Sequence, residues 1–78
     1  MSDTPEAFER FVQEWCNENI VSLSDYAEPR DQRYMYRAWG ARIQAAATAA
    51  GFEEQFARAV LIDGAAAFVE QRYREMEL

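Results

Sequence analysis

The sequence predicts an all-α fold: a small bundle of three main helices, or four if the chain breaks at Asp63-Gly64. Three observations carry that expectation. Apolar residues recur at three- and four-residue intervals in separate segments, the spacing that lines one face of a helix. Residues that start and stop helices stand at the edges of those segments. The chain also carries no β-hairpin signal, internal repeat or low-complexity tail.

The first helix is "DTPEAFERFVQEWCNE". Thr4 is placed to accept backbone N–H bonds as N-cap, and Pro5 suits the first helical position. Glu6 and Glu9 favour the positive end of the helix dipole. Phe8, Phe11, Val12, Trp15 and Cys16 form one apolar stripe, with Arg10, Gln13, Glu14 and Asn17 opposite. The connector "NENIVSLSD" follows, because Asn19, Ser22 and Ser24 compete for backbone hydrogen bonds and disfavour helix interiors. Ile20, Val21 and Leu23 are expected to plug the end of the bundle, and Ser22 or Ser24 to cap a short turn.

The second helix is expected from about Pro29 to Ala50, with Gly51 as its left-handed cap. At about 100° per residue, Met35, Tyr36, Trp39, Ile43, Ala46 and Ala50 share one face. Arg30, Arg33, Arg37, Gln44 and Thr48 share the other. The alanines of "AAATAA" favour helix and permit close approach of a neighbour.

In the last segment Phe52, Phe56, Ala59 and Val60 point one way. Ile62, Ala65, Val69, Tyr73 and Met76 point about 140° away on the same wheel. Two readings fit. Either the chain breaks at Asp63-Gly64, or one continuous or kinked helix serves two partners. The second is preferred here. It assigns Ile62, Val69, Tyr73 and Met76 to a dimer contact.

Composition limits the chemistry. Seventy-eight residues make one domain, and a core of that size contributes only about 3–5 kcal/mol. Cys16 is the sole cysteine, so no disulfide forms within the chain. Half the residues are hydrophobic and eleven are aromatic. A small chain with so much apolar surface is expected to share it with a second copy, as a homodimer. No apolar run approaches the roughly 20 residues of a membrane span, and the acidic start lacks a signal-peptide core. A soluble, cytoplasmic protein is expected.

All eight basic residues are arginine; lysine and histidine are absent. The usual general base, the commonest metal ligand and the Schiff-base nucleophile are therefore missing. No carboxylates stand at a recognisable metal spacing, and Cys16 lies in the apolar stripe with no histidine to activate it. No enzymatic activity, metal or cofactor is expected.

Charge is unevenly placed. Residues 1–28 are net −6, residues 29–50 net +3 and residues 51–78 net −3. Arg30, Arg33 and Arg37, bordered by Tyr34, form a row suited to carboxylate or phosphate, or simply to pairing with the acidic first helix. Pairing with the first helix, or simply solvating a face, is the simpler reading. Glu6, Glu9, Glu14 and Glu18 form an acidic set able to imitate nucleic-acid phosphates before a basic groove. Tryptophan, tyrosine and arginine dominate many protein interfaces. A partner-binding face, not a catalytic pocket, is the expectation.

"AFERFVQEW" followed by "YRAWGARIQAA" resembles a segment of small phage and prophage proteins with an aromatic "AFE-x-W"-like start and an "AW-x-AR" helix. The likeness covers about residues 7–47. Phe11 stands near the tryptophan of that pattern, and the C-terminal segment lies outside it. The resemblance implies a mobile-element accessory protein that inhibits or modulates a host protein by stoichiometric binding, the class that includes anti-CRISPR inhibitors. The alternatives are a binder of nucleotide or single-stranded nucleic acid through Arg30, Arg33 and Arg37, with Tyr34 stacking, and a structural or assembly subunit.

Overall fold

The computed structural model describes residues 4–20 and 29–76. Four helices run through them: α1 (Pro5–Asn19), α2 (Pro29–Ala49), α3 (Glu53–Ala59) and α4 (Gly64–Met76). The all-α bundle is as expected, in its four-helix form. Val21, Leu23, Ser22 and Ser24, expected to plug the bundle or cap a turn, lie outside the described residues.

α1 starts where its sequence dictates. The Thr4 hydroxyl accepts the Ala7 N–H at 3.1 Å, and Pro5 opens the first turn. Phe8, Val12 and Cys16 are buried one turn apart, and Ile20 is the fourth residue of the row. Phe11 and Trp15 lie half-buried beside them. The helix stops at Ile20, whose backbone turns extended while its N–H still reaches the Cys16 carbonyl.

α2 is the spine. Tyr36, Trp39, Ile43 and Ala47 are buried along it, and Trp39 and Ile43 are among the most enclosed side chains. Its exit is a Schellman closure: Phe52 N–H donates to the Ala47 carbonyl at 2.7 Å and Gly51 N–H to Thr48 at 3.2 Å. Gly51 sits at φ +89°, a region that side chains with a Cβ rarely enter. The turn delivers Phe52 to the core, 5 % exposed. Its ring packs on Phe8 and Phe11 at 5.7 and 5.3 Å between centroids.

The last segment is not one helix. α3 ends at Ala59, and Gly64 N–H donates to the Val60 carbonyl at 2.9 Å. Gly64 itself stands at φ +88°. The preferred continuous or kinked helix is therefore corrected to two helices joined by a turn. The reason lies in the two stripes. A turn absorbs their angular offset, so Phe56 from α3 and Val69 from α4 reach the same core. Phe56 meets Phe68 edge-on at 5.5 Å.

α4 packs antiparallel on α2. Gly40 lies against Ala65 and Ala66, so close that a Cβ on Gly40 would stand 3.0 Å from the Ala65 backbone. The close approach expected of "AAATAA" is therefore made mainly at Gly40; Ala45, Ala49 and Ala50 are exposed. Further along, Tyr73 stacks on Trp39 at 6.4 Å and meets Tyr36 at 6.1 Å.

Candidate functional site

The side of α2 away from the core carries Arg33, Arg37, Gln44 and Thr48, all exposed. Two open grooves flank this strip. One, about 280 Å³, is lined by Arg33, Tyr36 and Arg37 of α2 and by Asp63, Ala66, Ala67 and Glu70. The other, about 350 Å³, is lined by Gln44 and Thr48 of α2 and by Glu53, Phe56, Ala57, Val60 and Leu61. Asp63 thus borders the first groove and Leu61 the second. The turn 61–63 is the ridge between them.

That ridge is apolar. Leu61 is 80 % exposed and Ile62 92 %. With Tyr34 at 69 %, they are the large hydrophobic side chains left in solvent among the described residues. The geometry follows from the α3–α4 joint. A four-residue turn closing on a left-handed glycine points its middle residues away from the bundle. Val60 turns back to the core, while Leu61 and Ile62 do not.

The electrostatics of the first groove are mixed. None of the ion pairs among the described residues uses Arg33 or Arg37. Glu70, half-buried, lies 3.9 Å from the Arg74 guanidinium. Burial pushes the Tyr36 hydroxyl above its ordinary value, and the Glu70 carboxylate adds to that. It stays protonated at neutral pH.

The acidic set of α1 does not form one surface. Glu6, Glu9, Glu14 and Glu18 are all exposed. Glu9, however, is gripped by Arg72 of α4 through two hydrogen bonds of 2.8 Å each. Glu9 and Glu14 point about 140° apart at 100° per residue. Glu6 and Glu9 are neighbours at a spacing of three and Glu14 and Glu18 at a spacing of four, but Glu9 is drawn away to Arg72. Of the two simpler readings of the α2 arginines, pairing with α1 does not hold for Glu9, which turns to α4 instead, and Arg33 and Arg37 stand on an exposed face.

Arg72 escaped the sequence reading. Its guanidinium also lies 5.1 Å from the Phe68 ring centre. The Glu9 bonds hold it protonated, above its ordinary value. Arg72 also lines a cleft of about 80 Å³ with Val12, Gln13, Cys16, Glu75 and Met76. Burial pushes the Cys16 thiol up, against a smaller opposite pull from Arg72. The thiol is protonated at neutral pH and a poor nucleophile. Among the described residues no three cysteine or carboxylate side chains converge as a metal site would require.

The expected dimer set divides. Ile62 is exposed, but Val69 has no exposed surface at all. Val69 cannot touch a second copy, because its side chain completes the intrachain core. Tyr73 and Met76 also pack against that core and are only half-exposed. Arg30, Arg33, Tyr34 and Arg37 are exposed as expected.

Comparison with protein-family models, with curated proteins and with solved structures finds no match to this chain. No helix among the described residues is long and apolar enough to cross a membrane.

Proposed function

We propose that the chain is a non-enzymatic protein-binding module that modulates its partner by stoichiometric contact, and that its binding face is the outer side of α2 with the turn 61–63. The observation that carries this reading is the ridge: two adjacent aliphatic side chains, 80 % and 92 % exposed, standing between two grooves on the arginine side of α2. Protein interfaces combine an apolar centre with a polar rim rich in arginine. Leu61 and Ile62 supply the centre; Arg33, Arg37, Gln44 and Thr48 supply the rim. In the setting the sequence resemblance implies, the partner is a host protein that is held inactive or redirected.

Two other readings are weaker on the same grounds. Nucleic-acid mimicry needs a coherent row of acids, and Glu9 is diverted to Arg72. Phosphate recognition through Arg33 and Arg37 is opposed by Asp63 and Glu70 in the same groove, and by a net charge of −6.

The test is capture from a bacterial lysate by three forms of the chain. Leu61→Asp with Ile62→Asp is expected to lose the captured protein. Glu14→Arg with Glu18→Arg is expected to keep it. Capture unchanged by the ridge substitutions, or lost with the α1 pair instead, overturns the reading.

A further inference from the structure

We infer that the groove between α2 and α3 takes an aliphatic side chain of the partner that is flanked in its own sequence by lysine or arginine; this names the partner chemistry of the proposed binding face and rests on that reading. The groove holds about 350 Å³. Its floor is apolar, formed by Phe56, Ala57 and Val60, and Leu61 of the ridge is its lip. An aliphatic side chain laid there removes apolar surface from water on both partners.

The polar lining decides what must stand beside that side chain. Among the residues lining the groove, Glu53 alone is charged. No ion pair among the described residues uses it. The Thr48 hydroxyl donates its proton to the Gln44 backbone carbonyl at 3.0 Å. Toward the groove its oxygen therefore offers lone pairs only. Two accepting groups call for a donor, and the carboxylate calls for a positive one. The adjoining groove makes no such choice, because its Arg33 and Arg37 are matched by Asp63 and Glu70. The net charge of −6 adds a long-range attraction for basic segments. The dimensions also agree. Glu53 and Val60 stand about 10 Å apart at 1.5 Å per residue, the span of about three extended residues. An aliphatic side chain against Val60 and Leu61 leaves a basic neighbour within reach of Glu53.

Two capped peptides serve as probes, one of alternating leucine and arginine, the other of alternating leucine and glutamate. Each is titrated at low salt into the isotopically labelled full chain. The basic peptide is expected to shift the amide resonances of Gln44, Thr48, Ala57 and Val60. It is expected to bind about fivefold more tightly than the acidic one, the scale of one exposed ion pair. Glu53→Lys is expected to remove that preference. Glu54→Lys changes the net charge by the same amount just outside the groove lining, and is expected to keep it. Both positions are exposed, so circular dichroism should match wild type. Equal binding of the two peptides overturns the inference, as do shifts confined to another face. Equal effects of the two variants also overturn it, because the preference then belongs to net charge alone. The same shifts on concentrating the chain without peptide would give the groove to a second copy and overturn it as well. Peptides bound without preference of sign, beside ridge variants that lose lysate capture, sink this inference and leave the proposed function standing. A preference lost at Glu53 only, beside capture indifferent to Leu61 and Ile62, keeps the chemistry of the groove and sinks the proposed face.

Discussion

Two turns in this molecule are closed by the same device and do opposite things. Gly51 and Gly64 sit at φ +89° and +88°, and a Cβ at either would meet open space. Gly51 caps the end of α2, whereas Gly64 closes the turn after α3 and opens α4, and at neither place is the left-handed backbone readily adopted by a side chain with a Cβ. After Gly51 the chain drops Phe52 into the core between two rings of α1. Before Gly64 it lifts Leu61 and Ile62 into solvent. The backbone geometry is shared; the fate of the apolar side chains is not. The first turn is a joint that stabilises the bundle. The second leaves apolar surface unburied, and stability gives no reason for that.

The comparison can be broken at the first turn. Phe52→Ala removes a buried ring that ties α1 to α2, and large-to-small changes of that kind cost about 3–5 kcal/mol. For a chain this small that is most of its stability, so chemical denaturation should show a largely unfolded population in water. A variant that melts near wild type would show that Phe52 is no joint.

Next in size is the crossing of α2 and α4. Gly40→Ala places a methyl 3.0 Å from Ala65. The obstacle is backbone, so the helices must part, at about 1–3 kcal/mol. A denaturant midpoint unchanged from wild type would mean that α4 shifts freely over α2.

How much of this was legible in the sequence depends on the range of the interaction. Thr4 and Pro5 act on neighbours three residues away, and the cap is as the sequence implies. The apolar stripes of α1 and α2 are also local patterns, and they predict Phe8, Val12, Cys16, Tyr36, Trp39 and Ile43 as core. Gly40 has no local meaning; its role appears only when Ala65 arrives against it. The grip of Arg72 on Glu9 spans 63 residues and leaves no mark in spacing. The last segment misled for a different reason. Two stripes out of phase are read as two partners if the helix is continuous, but as one core if the chain turns. The Asp63-Gly64 step signalled the turn, and the weight of helix propensity around it argued the other way. For the proposed binding face, helical spacing implies the exposed arginines. That Leu61 stands beside Gln44 and Thr48 of α2 follows only from the fold.

Smaller effects test whether the two turns are equal in backbone terms. Gly51→Ala and Gly64→Ala each force a Cβ into the left-handed region at about 1–2 kcal/mol, with no clash to add. Similar melting shifts for the two are expected. A much larger loss at Gly64 would mean that the ridge carries structural strain and is not simply displayed.

The smallest expected effect on stability belongs to the ridge itself, and it decides what the second turn is for. Leu61→Ser with Ile62→Ser alters side chains already in water, so stability should move by no more than about 0.5 kcal/mol. Removing exposed apolar surface should also raise solubility. If the molecule needed these residues for its fold, the double variant would soften the α3–α4 joint, and hydrogen exchange at Phe56 and Val69 would quicken. Unchanged protection there, together with loss of association, would separate the two turns cleanly. On the proposed reading, Leu61 and Ile62 add nothing to the fold, and contact with a partner is the role left to them.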